Sequence, residues 1–160
     1  MEQVLKKQAD ICFLSDDATN LKIPENSIDY VITDPPHFDE VQFLELSFFY
    51  TSWLRRRLPF EKEMVVNPTQ KKGINFYLDT LKKFSSEMHR ILKPGRYMTI
   101  ILHEEDLSLL NKCVNIIEST GFKLCKGEEN SNFTFYTFRK INRSKFKVNA
   151  VKCTFSLQKF

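Results

Sequence analysis

The chain has 160 residues, 42% of them hydrophobic and 28% charged, with a formal net charge of +4. This composition predicts one globular domain over residues 1–160 and excludes a disordered chain. No apolar run is long enough to span a membrane, the N-terminus lacks the apolar core of a signal peptide, and the four cysteines form no Cys-x-x-Cys pair; we therefore expect a cytoplasmic protein with reduced thiols and no structural zinc.

Two short strands are predicted near the start of the chain. Residues 11–14 are apolar and are followed by a polar turn that contains Asp17. Ile28–Thr33 is mostly apolar or β-branched, which is typical of a short buried strand.

A stiff polar segment follows the second strand. Asp34 stands at the C-terminal end of that strand, and Pro35 and Pro36 come next. Each proline fixes φ and lacks an N–H donor, and Pro35 also pushes Asp34 toward an extended conformation. The segment therefore carries a carboxylate and then two flat side chains, His37 and Phe38. Because ligands of open α/β sheets bind beyond the carboxyl ends of the strands, residues 34–38 are predicted to hold a planar amine.

Two helices and a loop are predicted between the second and third strands. Residues 38–57 are apolar on more than one side, which predicts a substantially buried helix and places Trp53 and the aromatic cluster 48–50 in the core. Residues 60–73 have no clear period and are predicted to be a loop beside the site. Residues 74–92 follow the i, i+3, i+4, i+7 pattern closely, and Lys93-Pro94-Gly95 should end that helix.

The rest of the chain predicts strands around one further helix. Residues 96–103 form a predicted buried strand, and residues 104–120 an amphipathic helix that Gly121 ends. Further strands are predicted at residues 122–126, 133–139 and 150–159. Because these late strands follow one another without helices, we predict an α/β fold with an antiparallel edge on an otherwise parallel sheet.

Residues 139–160 form a predicted basic C-terminal strand or tail. No acidic residue follows Glu129. The basic residues beyond it are Arg139, Lys140, Arg143, Lys145, Lys147, Lys152 and Lys159. Such a segment suits contact with phosphates, although a solvated surface has the same composition. The run Arg55-Arg56-Arg57 has the same two interpretations, phosphate contact or a solvated helix end.

Asp34-Pro35-Pro36-His37 resembles the Asp-Pro-Pro-Tyr motif of S-adenosylmethionine-dependent methyltransferases that modify exocyclic amino groups of nucleic-acid bases. Residues 34–57 are similar to one group of bacterial and archaeal adenine-specific DNA methylases, whose pattern is Asp-Pro-Pro-Tyr-Tyr-Asp-Asn and then a helix with Ser-x-Phe-Phe-x-x-Trp-Leu. Residues 47–54 here read Ser-Phe-Phe-Tyr-Thr-Ser-Trp-Leu. The resemblance covers residues 10–125. Asp-Pro-Pro alone also occurs in surface turns, whereas its combination with this helix is specific.

The resemblance implies a chemical role for each residue of the motif. The Asp34 carboxylate and the Pro35 carbonyl would accept hydrogen bonds from the target NH₂ and localise its lone pair toward the sulfonium methyl, with Pro36 keeping the segment rigid. Catalysis would be mostly positioning and electrostatics, with Asp34 available to take a proton late. The alternative is an Asp that merely opens a Pro-Pro turn.

Four other roles are implied in the same way. His37 stands where the family has a tyrosine that stacks on the flipped base, and Phe38 is the alternative aromatic face. His103, at a predicted strand end, would line the target pocket. Asp17 would join Asp34 in holding the cofactor, unless it is a helix N-cap. No metal site is predicted, because no second ligand stands at a suitable spacing.

The glycine-rich turn that binds the cofactor in this family has no counterpart here. The four glycines are scattered, and the chain begins at what would be the third strand of the family sheet. The expectation is half of a class I methyltransferase domain with a Rossmann-like sheet. It would bind S-adenosylmethionine only if another segment supplies the glycine turn. The strand at Ile28–Thr33 should then expose an apolar edge to a partner chain or a second copy.

Three functions follow from these observations. The first is methyl transfer to a base amino group of DNA, at adenine N6 or, less in keeping with the resemblance, cytosine N4. The second is a non-catalytic relative that binds nucleic acid or a partner subunit. The third is an RNA-directed methyltransferase fragment.

Overall fold

A computed structural model describes residues 11–130 and 133–141. Its elements, in chain order, are β1 (Ile28–Thr33), α1 (Phe43–Trp53), a 3₁₀ turn (Phe60–Lys62), α2 (Ile74–Ile91), β2 (Leu92–Leu102), α3 (Leu107–Ser119), β3 (Phe122–Asn130) and β4 (Phe133–Lys140). The sheet order is β1-β2-β4-β3. β1 and β2 run parallel, and the other two pairs are antiparallel. The predicted α/β fold with antiparallel late strands is therefore confirmed.

The hydrophobic core lies between the sheet and the helices α2 and α3. Buried residues alternate along β2 at Met98, Ile100 and Leu102 because successive side chains of a strand point to opposite faces. Val31 of β1 and Phe138 of β4 are the register partners of Met98, so three strands contribute to one row of the core.

The amphipathic pattern of α2 gives the helix that the sequence predicts. Its buried apolar residues, on one face of the helix, are Tyr77, Leu81, Phe84, Met88 and Ile91. The boundaries of two neighbouring elements differ from the prediction: β2 begins at Leu92 rather than residue 96, and α3 begins at Leu107 rather than residue 104. Gly121, with φ +107°, follows α3, and a Cβ there would lie 2.8 Å from His89 Nε2, so only glycine fits.

The prediction that α1 is a buried core helix is wrong. The helix covers only Phe43–Trp53, and none of its residues is buried. Trp53 is 81% exposed, and the 48–50 cluster is exposed as well. The apolar side chains lie all round the helix, so a single contact surface cannot bury them, and the structure places no second layer over α1 in the described part of the chain.

The strand predicted at residues 11–14 is also wrong. These residues have no regular structure, and Phe13 is 93% exposed. A strand needs a hydrogen-bonding neighbour, and the described sheet ends at β1. β1 is thus an edge strand of the described sheet, as the sequence predicts, and the side chains of Tyr30 and Ile32 on one of its faces are exposed.

The start of the basic C-terminal segment contributes to the fold. The buried Lys140 ammonium donates to the carbonyls of His89 (2.6 Å) and Leu92 (2.7 Å) and to Asn26 Oδ1 (2.8 Å). Arg139 Nε donates to the Gly95 carbonyl at 3.3 Å. Lys140 therefore ties the end of β4 to the end of α2 and is unavailable to phosphate. Residues 142–160, with the strand predicted at 150–159, lie outside the described residues.

The connection that leads into β1 is fixed by an ion pair on α2. Glu87 Oε1 accepts from the backbone N–H of Leu21 (2.7 Å) and from Arg90 Nη2 (2.6 Å). The same guanidinium nitrogen donates to the carbonyls of Leu21 (3.0 Å) and Ile23 (2.9 Å). Glu87 is buried, so breaking this contact would leave its carboxylate poorly compensated.

We expect Glu87→Gln to weaken the acid dependence of stability. The Arg90 hydrogen bond holds the pKa of Glu87 below its ordinary value, and the Leu21 N–H acts in the same direction. A lowered folded-state pKa gives stability that is present above the unfolded-state pKa and is lost as pH falls through the folded-state value. Urea unfolding from about pH 6 to about pH 3 should therefore give a shallower loss for Glu87→Gln. The exposed Glu105→Gln is the control, and an identical slope for both variants would contradict the assignment.

Candidate functional site

The Asp34–Phe38 segment leaves the carboxyl end of β1 with its acidic group in solvent. The Asp34 side chain is 61% exposed, whereas Pro35 is buried. The position matches the edge at which open α/β sheets bind ligands. The Asp34 carboxylate therefore faces solvent, whereas the next residue of the segment is packed against the protein.

Tyr77 of α2 anchors this segment. Its hydroxyl donates to the Pro36 carbonyl at 2.8 Å, and its ring stacks on Phe38 with centroids 4.2 Å apart. The Val66 N–H donates to the Phe38 carbonyl at 2.8 Å. Burial raises the pKa of the Tyr77 hydroxyl, which keeps it protonated and donating at ordinary pH.

Phe38 does not offer an aromatic face to a ligand in this conformation. It has φ +44° and only 4% exposure. A positive φ is uncommon for a bulky residue and costs about 1–2 kcal/mol. Here it turns the ring inward onto Tyr77, so the expected stacking of Phe38 on a base is not available.

His37, Asp34 and His103 come together around Glu40. His37 Nε2 lies 3.1 Å from Asp34 Oδ1, and its Nδ1 lies 3.3 Å from Glu40 Oε2. Glu40 Oε1 lies 3.3 Å from His103 Nε2, and the two imidazole centroids are 6.0 Å apart. Three residues that the sequence singles out, one of them from the far end of β2, therefore share one site.

The environment of His37 differs from that of an open stacking platform. Its side chain is only 11% exposed and lies between two carboxylates. Its Nε2 lies at ion-pair distance from the Asp34 carboxylate, and its ring would have to turn outward to stack on a base. Glu40, which contacts both histidines, is not indicated by the sequence. A carboxylate three residues from a histidine is common in helices and surface loops and does not by itself mark a site.

Asp17 is engaged away from this group in the described part of the chain. Its Oδ1 accepts from Thr19 Oγ1 (2.6 Å) and from the Thr19 N–H (2.9 Å), and Lys62 Nζ lies 3.3 Å from Oδ2. The Thr19 hydrogen bonds hold the pKa of Asp17 below its ordinary value. No helix begins here, so the N-cap alternative is wrong and Asp17 closes a local polar turn.

Two other classes of site can be checked on the same residues. Across residues 11–130 and 133–141, no three His, Cys, Asp or Glu side chains are grouped as metal ligands. Within those same ranges, no helix combines the length and the apolar character needed to cross a membrane.

Comparison with known proteins finds similarity at the level of fold. No protein-family model matches the chain, and no curated protein does. A presumed DNA modification methylase from Thermus thermophilus, solved with S-adenosyl-L-methionine, is 15% identical with a TM-score of 0.47, over 82% of this chain and 56% of its own. A SAM-dependent methyltransferase from Methanosarcina mazei is 11% identical with a TM-score of 0.46, and the match covers 79% of this chain and 65% of that protein.

A third similar structure is the cyclase SpnF, 12% identical with a TM-score of 0.49, over 88% of this chain and 58% of its own. The chain thus spans between about half and two thirds of the length of these structures.

Proposed function

We propose that this chain supplies the target-base side of an S-adenosylmethionine-dependent methyltransferase that acts on an exocyclic amino group of a nucleic-acid base, adenine N6 of DNA in the first place. The observation that carries the proposal is the exposed Asp34 carboxylate at the end of β1, on a segment that Tyr77 and Val66 anchor from below. The resemblance of residues 34–57 to adenine-specific DNA methylases supports the choice of base.

The chemistry asked of Asp34 is hydrogen-bond acceptance. The lone pair of a base amino group is delocalised into the ring, which makes the nitrogen a poor nucleophile. A carboxylate and the Pro35 carbonyl that accept both N–H bonds localise the lone pair on nitrogen, and a fixed acceptor pair needs no reorganisation as charge develops. The Pro36 carbonyl already accepts from Tyr77, and we propose the Pro35 carbonyl as the second acceptor of the motif.

The cofactor itself does not fit the described residues alone. The bound group would supply an electrophilic methyl on a sulfonium. Three of the four glycines lie against the side chains of Arg139, His89 and Tyr136, and the fourth, Gly73, stands alone before α2. A nucleotide cradle of closely spaced glycines is therefore absent from residues 11–130 and 133–141, and Asp17 closes a turn instead. We therefore propose that this chain binds the target base and that a segment outside the described residues binds the cofactor.

A second candidate function is the binding of a partner subunit through β1 and α1. It is favoured by the exposed apolar residues of these two elements, which are Tyr30, Ile32, Phe43, Leu46, Phe48, Phe49, Tyr50 and Trp53. An open strand edge and an exposed apolar helix are each surfaces that another chain can cover. Sedimentation of the protein with and without a candidate methyltransferase subunit tests this function.

The target base can be tested without the cofactor. We expect an oligonucleotide with one unpaired adenine to bind at least about fivefold more tightly than the same strand with purine, which lacks the amino group, at that position. Calorimetric titration at fixed salt measures the ratio, and an unpaired cytosine in DNA and an adenine in RNA rank the alternatives. Equal affinities for adenine, cytosine and purine would overturn the proposal for Asp34.

A further inference from the structure

A cavity of about 570 Å³ lies where the end of α1 meets the 3₁₀ turn, and Asp34 is not among its lining residues. Its volume is in the range of small-molecule sites. The lining contains three cationic side chains, Arg56, Arg57 and Lys72, and one carboxylate, Glu61, among the described residues. The rings of Phe48 and Phe60 are also part of the wall. The cavity therefore combines an excess of positive charge with aromatic surface.

The end of α1 directs the arginines to this place. The N–H of Arg56 donates to the Thr51 carbonyl at 3.0 Å and that of Arg55 to the Ser52 carbonyl at 3.2 Å. This is a Schellman motif, in which the left-handed position is normally glycine, and Arg55 occupies it with φ +50°. The chain reverses at Arg55, and the next two residues line the cavity.

The charges of Arg56 and Arg57 are not neutralised within the described part of the chain. Both side chains are exposed, and neither forms an ion pair with a described residue. Guanidinium groups present paired N–H donors that match a phosphate group, and they stack on planar rings.

Lys72 shapes the wall. It is 5% exposed, and its Nζ donates to the Phe60 carbonyl and, at 3.0 Å, to the Glu63 carbonyl. Burial lowers the pKa of this lysine, and the surrounding glutamates act against that shift. Lys72 thus fixes the position of Phe60 and leaves the two exposed arginines as the phosphate-facing groups.

Gln70 adds an unused acceptor. Its Nε2 donates to Glu45 Oε1 at 2.9 Å. Its Oε1 is shielded from solvent and has no donor among the described residues. Gln70 is part of the cavity lining, and a ligand with an N–H or O–H group would reach this oxygen once the side chain turns toward the cavity.

We propose that this cavity binds one nucleotide unit, with its phosphate on Arg56 and Arg57 and its base against Phe48 and Phe60. A unit within a single strand is the occupant that also suits the target site, and that part of the inference rests on the proposed function. Stacking is tolerant of base identity, since every base has a π face. The site therefore contributes affinity rather than base choice.

The cavity and the Asp34 segment are connected through the 60–72 loop. Val66 donates to the Phe38 carbonyl at 2.8 Å, and the Val66 carbonyl accepts from Gln42 Nε2 at 3.2 Å. The same loop provides Phe60, Gln70 and Lys72 to the cavity. A strand held at the arginines is thus bound to the same packed unit that holds Asp34.

The test uses a fluorescently labelled oligothymidylate, whose bases have no exocyclic amino group, so that it is independent of Asp34. We expect the double variant Arg56→Gln/Arg57→Gln to weaken binding at least about tenfold. The negative slope of log K against log salt should become shallower by about 1–2. Arg55→Gly is the matched control: it removes a charge from the same run and suits the left-handed backbone, and it should bind within about twofold of the parent.

The competing ligands identify the source of the phosphate. Thymidine monophosphate that competes as well as the strand supports the site as one for a free nucleotide, and competition by the strand alone supports the strand. Equal affinities of the double variant and Arg55→Gly would overturn the proposal, with circular dichroism melting confirming that both variants are folded. That result would leave the adenine-over-purine comparison untouched, so the two failures are distinguishable.

Discussion

Asp34→Asn should eliminate the preference for an amino-bearing base and bring the adenine-to-purine affinity ratio from at least about fivefold to about one. Asparagine keeps the shape of the side chain, but it removes the negative charge and replaces one acceptor oxygen with an NH₂ that repels the target amine. Because the Asp34 side chain is 61% exposed, stability should change by no more than about 0.5 kcal/mol. The measurement is the adenine-to-purine affinity ratio, by calorimetric titration at fixed salt.

Asp39→Asn is the matched control for this result. Asp39 is also exposed and lies five positions along the same chain segment, so it reports the effect of losing one negative charge near the site. It should retain the adenine preference. If both variants bind adenine and purine as the parent does, Asp34 is not the acceptor. If both lose the preference, net charge rather than a directed hydrogen bond is responsible.

Tyr77→Ala should lower the free energy of unfolding by about 3–5 kcal/mol, as deletions of fully buried aromatic side chains do. Tyr77 has 0% exposure, and its loss removes the ring stacked on Phe38 as well as the donor to the Pro36 carbonyl. Tyr77→Phe keeps the ring and should cost only about 1–2 kcal/mol, because one carbonyl loses its partner. Urea unfolding of the two variants separates packing from hydrogen bonding.

The control for Tyr77 is Tyr50→Ala. Tyr50 is 71% exposed on α1, so its removal should change stability by less than about 0.5 kcal/mol. A similar loss for Tyr50 and Tyr77 would contradict the assignment of Tyr77 as the anchor. Tyr77→Phe adds a functional readout: freeing Pro36 should reduce the adenine-to-purine ratio while the oligothymidylate affinity stays the same, which a general loss of folding would not do.

The sequence predicts best those elements whose buried face is marked by their own hydrophobic periodicity. α2 is the clearest case, since its apolar residues mark one face and Gly73 and Leu92 bound it. The sequence predicts α1 as a helix but wrongly predicts its burial. Apolar residues on every side of a helix do not indicate which neighbouring element would cover it. The same is true of residues 11–14, where four apolar residues could form a strand only beside another strand.

The site was predictable in part for a similar reason. Asp34 and the two prolines are adjacent in sequence, so their geometry follows from local rules. Two of the contacts that organise them are not local: the Tyr77 hydroxyl reaches Pro36 across 41 positions, and Glu40 contacts His103, which follows β2. Tyr77 appeared in the sequence only as one apolar position of α2, since nothing in its periodicity indicates a hydrogen bond to the motif.

The position of β4 within the sheet has a consequence for synthesis on the ribosome. β4 is the last described strand, yet it lies between β2 and β3 and pairs with both. β2 and β3 therefore cannot be joined in one sheet until residue 140 has left the exit tunnel. The pairing of β4 with both strands is thus a late step of folding. Nascent chains stalled before residue 133 should be protease-sensitive, and chains stalled with a C-terminal linker long enough to bring residue 140 out of the exit tunnel should be resistant.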